Sequence, residues 1–208
     1  MSLPRLALAL VLPLTLAAPA RASQMTDATP EQIEALLAKL SRMPINARVD
    51  VLSKFFVGTP YADFPLGEGG SGPEPQARFR LDAVDCQTFV ETVLALANSK
   101  SIEQAKLVLD DIRYSRLPAS FATRNHFTEA QWLPSNIEKG YLREAVGAID
   151  GHAPETSLVL KRAEWSQVEG LKRLESAEIP EGKFPIKYLP INDFKKRSKS
   201  IETGSIIL

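Results

Sequence analysis

The apolar residues near the start of the chain recur at helical spacing. In the stretch "TPEQIEALLAKLSRM", one face of a helix would carry Ile33, Leu36, Leu37 and Leu40. Thr29 can cap that helix, and Pro30 suits its first position, where the backbone N–H is not needed. The pattern therefore predicts an amphipathic helix over residues 30–41 and a second short helix over about 47–56.

A third helix is predicted within "FRLDAVDCQTFVETVLALANS", residues 79–99. Its apolar positions lie nearly all round the cylinder: Phe89, Val90, Val93, Leu94, Leu96 and Ala97. A helix of this kind belongs inside a core. Asp85 is the predicted N-cap, which places Cys86 at the first helical position. The next helix should begin after Ser101, with Gln104 completing a capping box.

The segments around these helices differ in character. The stretch "VGTPYADFPLGEGGSGPEPQARFR" is rich in glycine and proline, and it predicts a long surface loop of the kind that is functional or disordered. From about Thr156 onward, the stretches "TSLVLKRAEW", "FPIKYLPI" and "GSIIL" predict short strands. Helices followed by strands indicate an α+β fold.

The N-terminus has the pattern of an export signal. Arg5 precedes an apolar run over residues 6–18, and Ala20, Arg21 and Ala22 form a small-x-small cleavage site. The run is short and interrupted by proline, which disfavours the alternative of an uncleaved membrane anchor. We therefore expect a signal peptide over 1–22, one domain over 23–208 with no membrane span, and a periplasmic or secreted protein.

The charge and composition of the chain reduce the number of function classes to consider. The chain has 25 basic and 25 acidic residues, so it offers no electrostatic case for binding nucleic acid. Its two histidines and one cysteine are too widely spaced for a recognisable zinc site, and no cofactor is predicted.

Cys86 is the only cysteine of the chain. An unpaired cysteine in an oxidising compartment indicates a reactive thiol or an intermolecular disulfide, with an inert buried thiol as the alternative. The N–H groups and positive dipole end at a helix start stabilise a thiolate. The position of Cys86 therefore favours a nucleophile over a structural thiol.

Several motifs together carry a family resemblance. "FVGTPY" precedes the glycine-rich loop, "DCQTFVE" runs over residues 85–91, "RNHF" over 124–127, and Trp132 follows. The set resembles the papain-like cell-wall hydrolases of the NlpC type, and most closely their N-acetylmuramoyl-L-alanine amidase-like branch. The resemblance extends from about residue 55 to the end of the chain.

The resemblance implies a papain-like fold in which the nucleophile helix packs on an antiparallel sheet. It implies that Cys86 attacks an amide carbonyl of peptidoglycan, with a histidine as general base. His126 is the candidate for that role, and the alternatives for it are a pocket or structural residue. Four residues become candidates for contacting substrate: Tyr61, Asp85, Arg124 and Trp132. For Trp132 a packing role is the alternative, and for Glu91 a salt-bridged or solvated side chain is favoured over a catalytic acid.

In the relatives, the catalytic histidine follows a Gly-Asp-Ile-Ile stretch. The corresponding stretch here is residues 204–208, where Ser205 replaces the aspartate and the sequence ends at Leu208. We therefore expect a shortened chain whose last strands are missing. A nucleophile without its base loses several orders of magnitude in rate, so such a chain is expected to be inactive unless His126 acts as the base.

The expected function is an exported cysteine amidase that hydrolyses the N-acetylmuramoyl–L-alanine bond of peptidoglycan or muropeptides. Three alternatives stay open. The enzyme could cut within the stem peptide, between D-glutamate and the diamino acid. The chain could be a non-catalytic peptidoglycan-binding remnant, or Cys86 could serve a redox or disulfide role.

Overall fold

A computed structural model of the chain describes residues 23–70 and 72–207. The predicted signal peptide over residues 1–22 lies outside these ranges. Among the described residues, no helix combines the length and the apolar character that a bilayer crossing requires.

Three helices open the described chain. They are α1 (Gln24–Asp27), α2 (Pro30–Leu40) and α3 (Ile45–Phe55). The Thr29 hydroxyl accepts from the N–H of Gln32 at 3.3 Å, and the Gln32 side chain accepts from the N–H of Thr29 at 2.8 Å. This reciprocal capping box confirms the predicted start of α2, whose Ile33, Leu37 and Leu40 are buried.

Two longer helices form the centre of the fold. They are α4 (Cys86–Ala97) and α5 (Ile102–Arg113), and α4 packs against both α3 and α5. Ser101 caps α5 by accepting from the N–H of Gln104 at 3.1 Å. The Gln104 side chain accepts from the N–H of Lys100 rather than that of Ser101, so only half of the predicted capping box forms.

An irregular region follows, with a 3₁₀ turn at Phe121–Thr123. A π-helical turn, Thr128–Trp132, runs directly into α6 (Leu133–Glu138), and α7 (Val146–Ile149) is a single turn.

The last part of the described chain holds a small sheet. Strand β1 (Glu155–Leu160) pairs antiparallel with β2 (Gly182–Lys187), with Glu155 opposite Lys187 and Leu160 opposite Gly182. The intervening and following segments contain short helical elements: α8 (Arg162–Trp165), α9 (Ile191–Arg197) and 3₁₀ turns at Glu169–Leu171, Ser176–Glu178 and Ser198–Ser200. Helices come first and strands later, which confirms the α+β class.

Within the part of the chain that the structure describes, three apolar clusters make up the core. The first joins α2, α3 and one side of α4, and the second joins the other side of α4 to α5 and Trp132. The third lies under the sheet and consists of Phe121, Phe127, Leu160, Leu174 and Ile179. Because α4 is apolar on nearly all sides, it takes part in two clusters and lies between helices.

Two sequence expectations differ from the structure. The nucleophile helix was expected on the antiparallel sheet, yet α4 is covered by α3 and α5 while the sheet covers the third cluster. The segment "GSIIL" was expected to be a strand, yet residues 204–207 form none. Gly204, at φ +89°, lies within a turn that is closed by a hydrogen bond from Ser205 N–H to Glu202 C=O. Ile206 packs against the second cluster, away from the sheet.

Candidate active site

Cys86 is exposed at the start of α4, as the sequence predicted. The Asp85 carboxylate accepts from the N–H of Thr88 at 2.7 Å. The Thr88 hydroxyl accepts from the N–H of Asp85 at 2.9 Å and donates to the Asp85 carboxylate at 2.8 Å. This double cap fixes the first turn, so the remaining N–H groups at the helix start are held beside the thiol.

The chain before Cys86 closes into a loop. Ala62 N–H donates to Val84 C=O, and Val84 N–H donates to Pro60 C=O, both at 3.1 Å. These two bonds join the ends of a segment over residues 62–83, which we call the 62–83 loop. Cys86 lies two residues beyond this junction, so the loop and the nucleophile share one backbone anchor.

Tyr61 lies at the junction and is 68% exposed. Partial shielding from water raises the pKa of Tyr61, and negative charge on Cys86, Asp63 and Asp85 raises that pKa further. The backbone bridge between Tyr61 and Val84 places Tyr61 next to the segment that leads into Asp85 and Cys86. The structure thus brings together three predicted site residues, Tyr61, Asp85 and Cys86.

Arg124, which lies outside the 62–83 loop in the sequence, forms ion pairs with two residues of that loop. Its guanidinium lies 2.8 Å from a carboxylate oxygen of Glu68 and 2.7 Å from one of Glu74. The guanidinium also lies over the ring of Phe121, 5.0 Å from the centroid. Arg124 was predicted to contact substrate, but in this arrangement its charge is already matched by two carboxylates of the protein; its contact with substrate stays a prediction.

The loop itself is tightly folded between these two glutamates. Glu68 N–H donates to Glu74 C=O at 2.9 Å, and a Cβ on Gly67 would lie only 2.2 Å from that carbonyl oxygen. Burial raises the pKa of the Glu68 carboxyl, and the charge of Arg124 opposes this shift. Position 67 therefore needs glycine for close backbone approach.

His126 lies in a half-buried position beside this cluster. Its Nε2 is 2.6 Å from the carbonyl oxygen of Phe121, and the two rings are 4.5 Å apart between centroids. Burial lowers the pKa of His126; the bond to Phe121 opposes the shift, and the charge of Arg124 reinforces it. A neutral imidazole that donates from Nε2 leaves Nδ1 as its acceptor. Among the hydrogen bonds of the described residues, none joins His126 to Cys86.

Trp132 and Glu91 are both buried. Trp132 is 1% exposed and belongs to the second apolar cluster, the packing role that the sequence offered as its alternative. Its contact with substrate stays a prediction. Glu91 pairs with Arg113 at 2.7 Å, with both side chains 4% exposed, and also accepts from the Gln87 side chain. Of the two non-catalytic roles that the sequence left open for Glu91, a salt bridge or a solvated side chain, the structure shows the salt bridge.

Sequence reasoning missed Glu68, Glu74 and Arg113. Their partners lie far away in the chain, and no local pattern of charge indicates which carboxylate meets which arginine. The other histidine, His152, is exposed in a turn. Within residues 23–70 and 72–207, no group of three or more His, Cys, Asp or Glu side chains is arranged to hold a metal ion.

These features define an α+β protein in which an exposed cysteine begins a buried helix beside a closed loop. The family model described as N-acetylmuramoyl-L-alanine amidase-like (AmiA-like) matches residues 51–208. The chain belongs to that family. Membership in the wider NlpC-type, papain-like group stays a prediction.

The solved structures that resemble the chain include the following two. Protein LPG0564 from Legionella pneumophila is 27% identical with a TM-score of 0.59, over 82% of this chain and 56% of that one. An N-acetylmuramoyl-L-alanine amidase from Bacteroides uniformis is 21% identical with a TM-score of 0.51, over 76% of this chain and 62% of that one. The second likeness concerns the fold alone. The chain spans less than two thirds of either structure. A search of curated proteins found no match.

Proposed function

We propose that this protein is an exported cysteine amidase that hydrolyses the amide between N-acetylmuramic acid and L-alanine. The observation that carries the proposal is the exposed thiol of Cys86 at the capped start of a buried helix, in a chain of the amidase-like family. Action outside the cytoplasm suits a peptidoglycan substrate and the signal-like pattern of residues 1–22.

In the proposed reaction, the Cys86 thiolate adds to the lactyl carbonyl carbon of the muramoyl group. Backbone N–H groups at the start of α4 stabilise the oxyanion that forms. The carbon–nitrogen bond then breaks, and the amine of L-alanine leaves with a proton supplied by the general acid. Water hydrolyses the resulting thioester, which releases the muramic acid carboxylate and restores the thiol.

For the proton transfers we propose His126. Its lowered pKa keeps the imidazole neutral, as a base must be, and the bond from Nε2 to Phe121 fixes the ring with Nδ1 as acceptor. Tyr61 and Asp85, beside the thiol, are the proposed substrate contacts. Arg124 contributes through the 62–83 loop, because its guanidinium is held by Glu68 and Glu74.

The test is digestion of purified muropeptides by the protein, with products identified by mass spectrometry and Cys86→Ala as the control. Release of intact stem peptide from the sugar, lost in Cys86→Ala, supports the proposal. Cleavage between D-glutamate and the diamino acid would keep the cysteine chemistry but replace the bond. Binding without cleavage, by a folded protein, would indicate a non-catalytic peptidoglycan-binding protein.

The role of His126 is tested separately with His126→Ala and His126→Gln. Loss of hydrolysis in both variants, with the fold intact, supports His126 as the base. Full activity in both variants would assign the base to another group while leaving Cys86 as the nucleophile.

A further inference from the structure

Phe64 combines two features that packing does not explain. Its backbone φ is +48°, and within residues 23–70 and 72–207 it is the one non-glycine residue with a positive φ. Aromatic L-residues rarely adopt this region, because the Cβ crowds the backbone. Its side chain is also 69% exposed, so the strained backbone is not compensated by burial of the ring. Strain held at an exposed aromatic residue points to a function for the ring.

The strained conformation is imposed from both sides. On one side, Ala62 is tied to Val84 at the junction of the 62–83 loop. On the other side, Leu66 is 2% exposed and belongs to the second apolar cluster. Phe64 lies between these two anchors, two residues from each along the chain. The backbone of Phe64 is therefore anchored on both sides, and its exposed ring lies two residues from the junction that precedes Cys86.

Tyr61 provides a second exposed aromatic ring in the same segment, and its backbone pairs with Val84, two residues before Cys86. We propose that Phe64 and Tyr61 form an aromatic surface that binds the sugar ring on the muramoyl side of the scissile amide. Phe64 would then be a specificity-determining residue that favours glycan-bearing substrates over free stem peptides. This inference rests on the proposed function.

The chemistry of the surroundings suits a sugar as the occupant. Pyranose rings present apolar C–H faces, and these pack on the negative faces of aromatic rings. Asp63 and Asp85 place negative charge around Tyr61. The hydroxyl groups of a neutral N-acetyl sugar can donate hydrogen bonds to such carboxylates.

The inference is tested by binding to the Cys86→Ala protein, which cannot turn over the ligand. Isothermal titration compares N-acetylmuramoyl-L-alanyl-D-isoglutamine with the same dipeptide lacking the sugar. We expect the sugar-bearing ligand to bind more tightly, and Phe64→Ala to weaken its binding by about fivefold to tenfold. Binding of the sugar-free dipeptide should not change, and Phe64→Trp should restore binding of the sugar-bearing ligand.

Two further variants separate function from structure. Phe64→Gly removes the backbone strain, so we expect a higher thermal midpoint together with weaker sugar binding. Tyr188→Ala removes an exposed aromatic side chain that lies after β2, and it should leave binding unchanged. Each variant is made in the Cys86→Ala background.

Unchanged affinity for the sugar-bearing ligand in folded Phe64→Ala would overturn the inference. An equal loss for both ligands, or no binding of the sugar-bearing ligand by the parent protein, would also overturn it. Because binding is measured without turnover, it does not depend on the amidase activity. Sugar binding that depends on Phe64, in a protein that cleaves no muropeptide, would refute the proposed function and leave the aromatic surface standing.

Discussion

The two side chains proposed to carry out the chemistry lie in contrasting environments. Cys86 is exposed at the start of α4, and local hydrogen bonds between Asp85 and Thr88 fix its position. His126 is half-buried and donates a hydrogen bond to the Phe121 carbonyl. It lies beside Arg124, which forms ion pairs with Glu68 and Glu74, far away in the sequence. The Cys86 half of the candidate site is therefore held by hydrogen bonds between neighbouring residues. The His126 half is held by ion pairs between residues that lie far apart in the sequence.

The two halves meet through a buried ion pair. Glu91 lies on the Cys86 helix and pairs with Arg113 at the end of α5. Burial raises the pKa of Glu68 and lowers the pKa of His126, and the charge of Arg113 opposes the first shift and reinforces the second. We therefore expect substitutions of the charged residues to leave the position of the Cys86 thiol unchanged. The same substitutions should alter the order of the 62–83 loop and the pKa of His126.

The largest effect is expected for Cys86→Ala. Because the thiolate is the proposed nucleophile, hydrolysis of muropeptides should fall by at least about 10³-fold. The thermal midpoint should hardly change, because Cys86 is exposed. Cys86→Ser is the matched control that keeps a polar atom in place. Substantial activity in Cys86→Ala would remove the thiol from the mechanism.

The second prediction concerns the ion pair between the halves. Arg113→Met leaves the Glu91 carboxylate buried without its partner, which should lower the free energy of unfolding by about 3–5 kcal/mol. Urea unfolding followed by circular dichroism measures the change. The double variant Glu91→Leu/Arg113→Met should recover most of the loss. A single variant as stable as the parent would mean that the pair is not buried in solution.

The third prediction addresses the fastening of the 62–83 loop. Arg124→Ala leaves Glu68 and Glu74 without a counter-charge, so amide hydrogen exchange should accelerate across residues 66–78 and stability should fall by about 1–3 kcal/mol. Arg143→Ala breaks an exposed pair with Glu202 and should change stability by less than about 1 kcal/mol. Exchange rates in the loop that do not respond to Arg124→Ala would contradict the assigned role.

A smaller effect is expected at the helix cap. Asp85→Ala removes the acceptor for the Thr88 N–H and should cost about 0.5–2 kcal/mol of stability. Asp85→Ser retains a capping oxygen and should restore most of it. If the two variants were equally stable, the cap would not contribute, and the first turn of α4 would be held by packing alone.

The smallest predicted effect is a dependence of stability on pH. Burial lowers the pKa of His126, so folding favours the neutral imidazole. Its contribution is complete above the ordinary pKa of about 6.5 and is lost as the pH falls from there through the lowered folded value. His126→Gln should remove this loss, seen as a smaller difference in thermal midpoint between pH 7 and pH 5. An identical difference in both proteins would contradict the buried, neutral assignment.

The sequence predicted the local half of the site well. The starts of α2, α4 and α5 depend on capping residues within a few positions of the helix, and Thr29, Asp85 and Ser101 all cap as expected. The nearly uniform apolar surface of α4 also predicted its burial. In each case, the determining interactions lie within one or two turns of the chain.

The charged half could not be predicted in the same way. Arg124 reaches Glu74 across 50 positions of the sequence, and Arg113 reaches Glu91 across 22. The same holds for the sheet, whose strands were located while its packing partner was not. Phe121 and Phe127 cover the sheet, and their aromatic character alone does not distinguish that role from packing on α4.

The most direct test of the central claim is to trap the covalent intermediate. The protein is mixed with muropeptides, quenched in acid within milliseconds to seconds, and digested for mass spectrometry of the peptide that contains Cys86. We predict a thioester on Cys86 whose added mass is that of the muramoyl group without any stem amino acid. A Cys86 peptide that stays unmodified while stem peptide is released, or an adduct that includes L-alanine and D-glutamate, would contradict it.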